Sequence, residues 1–163
     1  MTRMSIRPIE PGDNAQVRDL IWQVMTEFEA TGPGYAVHDP EVDQMYESYD
    51  NDRSRFFVVA HEGRVLGCGG IGPLKGGDSR TCELRKMYFL KETRGLGLGA
   101  QMLNICLDEA RRLGYQECYL ETLHRMDRAR SLYLKNGFIE LSAPKGSTGH
   151  GACELSYLKD LRS

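Results

Sequence analysis

One short segment of the 163-residue chain carries its strongest chemical signal, and its residues are Arg94, Gly95, Leu96, Gly97, Leu98 and Gly99. The segment lies between a strand-like run, residues 83–90, and a helix-like run, residues 98–113. Glycines leave backbone amides uncovered, and amides at a helix N-terminus add to the positive end of the helix dipole. Arg94 adds a permanent positive charge beside them. The segment therefore predicts a site for a ligand that carries a pyrophosphate.

Two familiar nucleotide-binding loops fit this segment less well. Gly95, Gly97 and Ala100 satisfy the Gly-x-Gly-x-x-Ala spacing of a dinucleotide-binding Rossmann domain. However, residues 91–94 separate the strand from the first glycine, a three-stranded meander precedes the loop, and the chain offers one βαβ unit where two are needed. A Walker A loop is excluded because no Gly-Lys-Ser/Thr follows. A glycine-rich turn without a ligand is disfavoured, because nothing would offset the conformational entropy that glycine loses.

Hydrophobic periodicity and turn residues predict a mixed α/β sheet in a single domain. The order is a strand, two helices, an antiparallel meander of three strands, then a βαβ crossover with its two helices and a C-terminal hairpin. The second helix, residues 40–49, has a looser pattern than the others. The predicted elements cover residues 5–9, 17–28, 40–49, 56–60, 65–71, 81–90, 98–113, 117–123, 127–136, 138–141 and 153–158.

Composition and charge disfavour several classes of function. A net charge of −2 gives no general attraction to nucleic acid or to an anionic membrane. No apolar run approaches the roughly 20 residues of a membrane-spanning helix, and residues 1–5 lack the apolar region of a signal peptide. The five cysteines are widely spaced, which is typical of buried, reduced thiols rather than of disulfides or a zinc site. The sequence thus predicts a cytoplasmic protein without metal, nucleic acid or membrane partners.

Residues 19–52 contain nine acidic residues and no lysine or arginine. Such a pattern is typical of solvated helix faces. It would also supply an acidic rim that attracts a cationic ligand. Both interpretations stay open at this point.

Two separate blocks resemble the GNAT superfamily of N-acetyltransferases. The Arg-x-x-Gly-x-Gly pattern, after a strand and opening a long helix, resembles the acetyl-CoA loop of that family. Residues 119–122 and 129–138, which include Leu132-Tyr133 and Gly137-Phe138, resemble the family strand and its Leu-Tyr-x-x-x-Gly-Phe helix end. The resemblance spans nearly the whole chain. It implies a single GNAT-type domain over residues 1–163 that uses acetyl-CoA as co-substrate.

The same resemblance implies which residues hold the donor. The pyrophosphate would bind the backbone amides of the glycine loop, and the pantetheine arm would pair like an extra strand with the end of the preceding strand. Lys91 replaces a proline found in many relatives, and Met126 replaces an asparagine whose polar contact is therefore not expected here. The implied cofactor-binding residues are Met87, Tyr88, Phe89, Arg94, Gly95, Leu96, Gly97, Leu98, Gly99 and Ala100.

Three catalytic candidates follow from the resemblance. Tyr133 matches the tyrosine that protonates the departing thiolate, and a phenol pKa of about 10 lies near that of an alkyl thiol. Packing on the inner face of its helix is the alternative role. Glu83 and Glu121 each occupy a position that supplies the base in some relatives, and either is also readable as a strand-end charge. Because no Cys/His arrangement favours an acyl-enzyme, direct transfer to a primary amine is expected.

The acceptor site of this family forms from the first two helices and the last hairpin. Residues 19–52 fall on those helices, so we expect an acceptor with extra positive charge, such as a polyamine, an aminoglycoside-like amine or a basic peptide end. His150 and the loop of residues 142–152 are further candidates to line this site. A homodimer is compatible with the fold. The alternative function is a non-catalytic acyl-CoA-binding or regulatory module.

Overall fold

A computed structural model of the chain describes residues 3–162, so Met1 and Thr2 of the predicted N-terminal region lie outside the described residues. The strands are β1 Ser5–Pro8, β2 Arg55–His61, β3 Arg64–Pro73, β4 Thr81–Phe89, β5 Glu117–Thr122, β6 Ile139–Glu140 and β7 Leu155–Asp160. The α-helices are α1 Asn14–Glu27, α2 Met45–Tyr49, α3 Leu98–Arg112 and α4 Asp127–Lys135. The predicted order of elements is confirmed.

The seven strands form one mixed sheet in the order β1-β2-β3-β4-β5-β7-β6. Strands β1 to β4 pair antiparallel, and β5 joins β4 in parallel after the α3 crossover. The meander, the crossover and the C-terminal hairpin are therefore as predicted. Within that hairpin the second strand, β7, lies next to β5, so β6 becomes the edge of the sheet.

Strands β4 and β5 pair over only a short length. Thr81, Cys82 and Glu83 face residues 117–119, and beyond that point the two strands separate. β5 continues its pairing with β7 as far as Thr122. The second half of β4 therefore has no strand beside it on the β5 side, which leaves a gap in the sheet.

A β-bulge interrupts β4 at the beginning of this gap. The register shifts opposite Cys68 and Gly70 of β3, so that two residues of β4, Lys86 and Met87, occupy the space of one. Lys86 has a φ of +51°, a left-handed conformation in which the backbone of a lysine is strained. A bulge bends its strand and redirects the side chains around it, and here it turns Lys86 into the buried interior.

The helices cover a sheet that is buried on both sides. Residues of β3 are buried at eight consecutive positions, which requires cover on both faces. α1 and α3 both pack on β3 and β4. Gly114 follows the end of α3, and its φ of +89° allows Tyr115 to donate its N–H to the Ala110 carbonyl across the last turn.

The predicted second helix is shorter in the structure. Residues 40–49 divide into a 3₁₀ turn, Pro40–Asp43, and the five-residue helix α2. Gln44, with φ −146° and ψ 57°, leaves the helical region and separates them. All five cysteines are free thiols, and only Cys153 is partly exposed. Among residues 3–162, no helix has both the length and the apolar character to cross a lipid bilayer.

Candidate active site

A groove of about 720 Å³ runs between the glycine loop, residues 94–99, and the beginning of α4. The second half of β4 and the C-terminal end of α1 also line it. Eight of the ten predicted cofactor-binding residues line this groove, namely Met87, Tyr88, Phe89, Arg94, Gly95, Gly97, Leu98 and Gly99. Leu96 and Ala100 are not among the lining residues.

The glycine loop presents a run of backbone donors. Gly95 and Gly97 adopt φ values of +80° and +78°, and Gly97 is the N-cap of α3. Within the described part of the chain, the N–H groups of residues 95–100 have no hydrogen-bond acceptor. They lie at the positive end of a 15-residue helix, where an anion is stabilised. Leu96 and Ala100, whose side chains are exposed, contribute their amides only.

Arg94 points away from this run of amides and toward α1. Its guanidinium donates to both carboxylate oxygens of Glu27, at 2.5 and 2.8 Å, and to the carbonyl of Phe89 at 2.7 and 3.1 Å. A bidentate, charge-assisted pair of this kind fixes geometry. Arg94 therefore anchors the loop to β4 and α1, whereas the sequence predicted a cation available to the ligand.

Three further cations line the groove, and the sequence had not indicated them as part of the site. Arg125 donates to the carbonyl of Phe28 at 2.7 and 3.1 Å. Lys91 and Arg128 are exposed, and neither has an ion-pair partner among residues 3–162. The signals in the sequence were a lysine three residues before the glycine loop and two arginines that flank the first residue of α4.

A second cavity of about 40 Å³ lies beyond the groove. Met87, Tyr88 and Met126 line both cavities, so the two adjoin at the bulge of β4. Glu121 and Tyr133 line the small cavity, whereas Glu83 does not. A large groove and a small cavity thus lie side by side at the gap in the sheet, and two of the three predicted catalytic groups line the small cavity.

Tyr133 is held by the turn that ends α4. Gly137, with a φ of +87°, allows Phe138 to donate its N–H to the Tyr133 carbonyl at 3.1 Å, and the two rings pack 5.7 Å apart. Tyr157 lies on another side of the ring, with centroids 6.3 Å apart. The Tyr133 hydroxyl has no hydrogen-bond partner in the described residues, and burial raises its pKa. The phenol is therefore protonated and available as a donor.

The two candidate bases lie close together but differ in their partners. Glu121 accepts hydrogen bonds from the hydroxyls of Tyr119, at 2.7 Å, and Thr148. Glu83 accepts from Arg85 at 2.9 Å. Burial raises the pKa of Glu83. Burial also acts to raise the pKa of Glu121, but the nearby His150 ring and hydrogen bonds from Thr148 and Tyr119 lower it below its ordinary value.

His150 and Lys86 complete a network of alternating charge. His150 Nε2 lies 2.7 Å from Asp39 Oδ2, and His150 Nδ1 lies 3.7 Å from Glu121 Oε1. Lys86 Nζ lies 2.6 Å from the same Asp39 oxygen and 3.1 Å from Glu41. Burial lowers the pKa of His150, yet its carboxylate partners outweigh burial and raise it to about 9.

Carboxylate and imidazole atoms of Glu83, Glu121 and His150 all lie within 4.8 Å of one another. Each of the three groups is already paired with protein, through Arg85, Thr148 and Asp39 respectively. The arrangement is a hydrogen-bonded acid–base cluster. It can accept a proton and stabilise a positive charge brought in by a ligand.

The structure accounts for all nine acids of residues 19–52. Asp39 and Glu41 face Lys86, and Glu27 pairs with Arg94. The other six are exposed, namely Asp19, Glu29, Asp43, Glu47, Asp50 and Asp52. Most of the stretch is therefore a solvated surface, and the acids that reach the site have internal cations as partners.

The fold and the two cavities define an α/β transferase-like domain whose groove suits an elongated, phosphate-bearing ligand. The sequence profile of the acetyltransferase (GNAT) family matches residues 16–138. The chain therefore belongs to the GNAT family, and it is an acetyltransferase.

Similar proteins agree with this assignment. The uncharacterized N-acetyltransferase YjgM of Escherichia coli K12 is 41% identical over 150 residues, which cover 91% of this chain and 90% of that protein. An acetyltransferase of the GNAT family from Staphylococcus aureus Mu50 superposes with a TM-score of 0.87 at 19% identity, covering 98% of this chain and 100% of that one. The putative acetyltransferase yncA of Salmonella typhimurium, solved with acetyl-CoA, superposes with a TM-score of 0.76 at 21% identity, covering 99% and 95%.

Proposed function

We propose that this acetyltransferase moves the acetyl group of acetyl-CoA directly to a primary amine. The observation that carries the proposal is that the two cavities adjoin at the bulge of β4. A donor in the groove and the reacting amino group of an acceptor at the small cavity would meet at Met87 and Tyr88. The similar Salmonella structure was solved with acetyl-CoA, which supports acetyl-CoA as the donor here.

The groove offers a partner for each part of the donor. The amides of residues 95–100 suit a pyrophosphate, because unpaired donors at a helix N-terminus stabilise anions. Lys91 and Arg128 supply charge for the remaining phosphate. Past the amides, the unpaired side of β4 offers its backbone to the pantetheine arm as a neighbouring strand would.

Glu121 accepts a proton from the acceptor, and Tyr133 stabilises the thiolate that leaves. The acceptor enters as an ammonium, and desolvation lowers its pKa, so a carboxylate in the small cavity suffices to accept its proton. Glu121 lines that cavity, whereas Glu83 does not and is paired with Arg85, which favours Glu121 as the base. The free amine attacks the thioester carbonyl and the carbon–sulfur bond breaks. The nitrogen passes its second proton to the departing thiolate, whose charge the Tyr133 hydroxyl stabilises with a hydrogen bond.

The charge of the site supports an amine as acceptor. The network contains four carboxylates and three basic groups, which are Asp39, Glu41, Glu83, Glu121, Arg85, Lys86 and His150. The excess of one carboxylate matches one incoming ammonium. An acceptor with further positive charge would need partners outside this network, such as the six exposed acids of residues 19–52, and we retain it as a prediction.

Thiol release from acetyl-CoA with a panel of amines tests the proposal. The panel contains spermidine, kanamycin, a lysine-ending peptide, phenethylamine and glutamate. We expect turnover with at least one cationic amine. Glu121→Gln should lower kcat by about 10²- to 10⁴-fold, because a general base is lost. Tyr133→Phe should lower kcat by about 10- to 100-fold, because a hydrogen bond to a charged group is lost.

Matched controls separate these roles from general damage. Glu117→Gln alters the same strand as Glu121, and Tyr115→Phe alters another buried tyrosine, and neither residue lines a cavity. Both controls should keep wild-type turnover. Full activity in Glu121→Gln would remove that residue from the mechanism. Binding of acetyl-CoA without thiol release for any amine would contradict the proposal and support a non-catalytic module.

A further inference from the structure

The loop between β6 and β7, residues 141–154, attaches to three other parts of the molecule. Ser147 donates its N–H to Lys75 at 2.6 Å, and Ala152 donates to Gly34 at 3.3 Å. Lys145 donates to the hydroxyl of Tyr119 at 3.0 Å. These three hydrogen bonds hold the loop beside β5 and the turn between β3 and β4. His150 extends from this loop into the charge network.

We propose that His150 is a positioning residue, whose positive ring, held between Asp39 and Glu121, directs the Glu121 carboxylate toward the small cavity. The inference rests on the proposed role of Glu121 as proton acceptor. It adds a residue that acts through Glu121 and does not itself touch the acceptor.

The contacts of Glu121 single out His150. Tyr119 donates to Oε2, and Thr148 donates to Oε1, and both partners are neutral hydroxyls. His150 is the charged neighbour, with Nδ1 3.7 Å from Oε1. The hydroxyls orient a carboxyl group in either protonation state, whereas a cation favours the ionised group. His150 therefore holds Glu121 as a carboxylate, the form that can accept a proton.

The ring of His150 is itself fixed from the opposite side. Its Nε2 lies 2.7 Å from Asp39, and Asp39 lies 2.6 Å from Lys86 Nζ. The Lys86 side chain is 2% exposed and the His150 side chain is 11% exposed. Charges therefore alternate from Lys86 on β4 to Glu121 on β5 and bridge the gap in the sheet. Rotation of the ring would leave two half-buried carboxylates without their shared cation.

Three carboxylates from neighbouring elements act on this ring, namely Asp39 before α2, Glu83 on β4 and Glu121 on β5. Lys86 on β4, Tyr119 on β5 and Cys153 on the loop itself lie beside the same carboxylates. Lys86 contacts the same Asp39 oxygen as His150, so it opposes a positive ring directly and also neutralises Asp39 in part. The three carboxylates outweigh this effect and the effect of burial, and the pKa of His150 near 9 follows. The ring is positive at neutral pH.

A double-mutant cycle tests whether His150 acts through Glu121. With the best amine of the panel, His150→Gln should lower kcat by up to about 100-fold, the cost of a misplaced reacting group, without changing KM for acetyl-CoA. Because the role runs through Glu121, the double variant His150→Gln/Glu121→Gln should lose no more than Glu121→Gln alone. His61→Gln, on the distant β2–β3 turn, is the matched histidine control.

A titration that needs no acceptor gives the second readout. Nuclear magnetic resonance of the His150 ring should show a pKa near 9, and the value should fall by at least one unit in Asp39→Asn and in Glu121→Gln. A wild-type value near 6.5 would overturn the inference. The inference would also be overturned if Glu121→Gln alone were impaired and the loss of kcat in the double variant equalled the product of the two single-variant losses. Unimpaired Glu121→Gln would overturn the proposed base first, and this inference with it.

Discussion

Glu83 and Glu121 carry the same carboxyl group, yet their surroundings shift its pKa in opposite directions. Glu83 is buried with a single hydrogen-bonding side chain, Arg85, and desolvation raises its pKa. Glu121 receives three partners, and together they lower its pKa despite burial. When the surroundings of two titratable groups shift their pKa values in opposite directions, the pair indicates the acid and base roles of a site. Here the member with the lowered pKa, Glu121, is also the one that lines the small cavity.

Burial changes the role expected of Tyr133. The prediction from the sequence relied on a phenol pKa close to that of a thiol, because a proton transfers easily between two groups of similar pKa. In the structure burial raises the Tyr133 pKa, so complete transfer to a thiolate becomes unfavourable. A hydrogen bond donated to the developing thiolate remains favourable, because that charge appears in a dry pocket. We therefore assign Tyr133 the stabilisation of the leaving group.

The pair of His150 with Asp39 predicts how stability depends on pH. His150 has a folded pKa of about 9 against 6.5 unfolded, so its stabilisation is complete below pH 6.5 and is lost as pH rises through 9. We expect the free energy of unfolding to fall by about 1–3 kcal/mol across this window. Urea unfolding of wild type and His150→Gln at several pH values measures it.

The variant isolates the contribution of this one ring from all other titrations. His150→Gln should have a shallower dependence on pH between 6.5 and 9 than the wild type. Asp39 has a lowered pKa, so its own contribution is lost only under acid conditions and does not enter this window. Equal slopes for the two proteins would contradict the assignment of a positive His150.

At the scale of elements, the glycine loop contains glycines with different requirements. Gly97 is left-handed at the N-cap of α3, whereas Gly99 lies inside the helix, where an added Cβ would meet Leu132 at an ordinary 3.5 Å. Gly97→Ala should destabilise the protein by about 1–2 kcal/mol, the cost of the left-handed conformation. Gly99→Ala should stabilise it by up to about 1 kcal/mol through helix propensity.

Thermal and urea unfolding of the two variants, without ligand, distinguish these effects. The comparison is matched, since both changes add one methyl group to the same loop. If both variants lost the same stability, the left-handed conformation of Gly97 would not be the cause. A loss in Gly99→Ala alone would instead indicate that its Cβ does not fit beside Leu132.

The bulge of β4 is a second element that serves the site. It lies where β4 and β5 are apart, and it turns Lys86 inward, where Asp39 and Glu41 compensate its charge. A buried lysine is tolerated only with such partners. The strained φ of Lys86 is therefore maintained by a network that reaches the base, and one local irregularity at the gap in the sheet anchors the acceptor side.

At the scale of the whole molecule, the sequence predicted what depends on local pattern. The apolar repeat of α3 and the glycines after α3 and α4 determine helix bounds through nearest neighbours, and those bounds agree to within a residue or so. The site network depends on contacts between distant residues. Lys86 and Asp39 are 47 positions apart, and His150 and Asp39 are 111 apart. No periodicity encodes such pairs, and the partner of Arg94 was missed for the same reason.

Overall charge also conceals a local imbalance around the groove. The chain has a net charge of −2, whereas the groove is lined by four cations and two acids, which are Lys91, Arg94, Arg125, Arg128, Glu27 and Asp127. Arg94 and Glu27 neutralise each other. The remaining excess is positive, and it lies where a ligand with several phosphates would bind. Such a field attracts anions over a distance that salt shortens.

Lys91 and Arg128 should therefore contribute to acetyl-CoA binding through charge. Calorimetry should show that Lys91→Gln and Arg128→Gln each raise the Kd about fivefold, equivalent to about 1 kcal/mol. Raising ionic strength from 0.05 to about 0.5 M should weaken wild-type binding more than binding to the double variant, because fewer charges remain to be screened. Lys135→Gln, at the opposite end of α4 and outside the groove, should leave Kd unchanged. Equal salt dependence in wild type and double variant would place the phosphates away from these two residues, and the glycine-loop amides would then carry the binding alone.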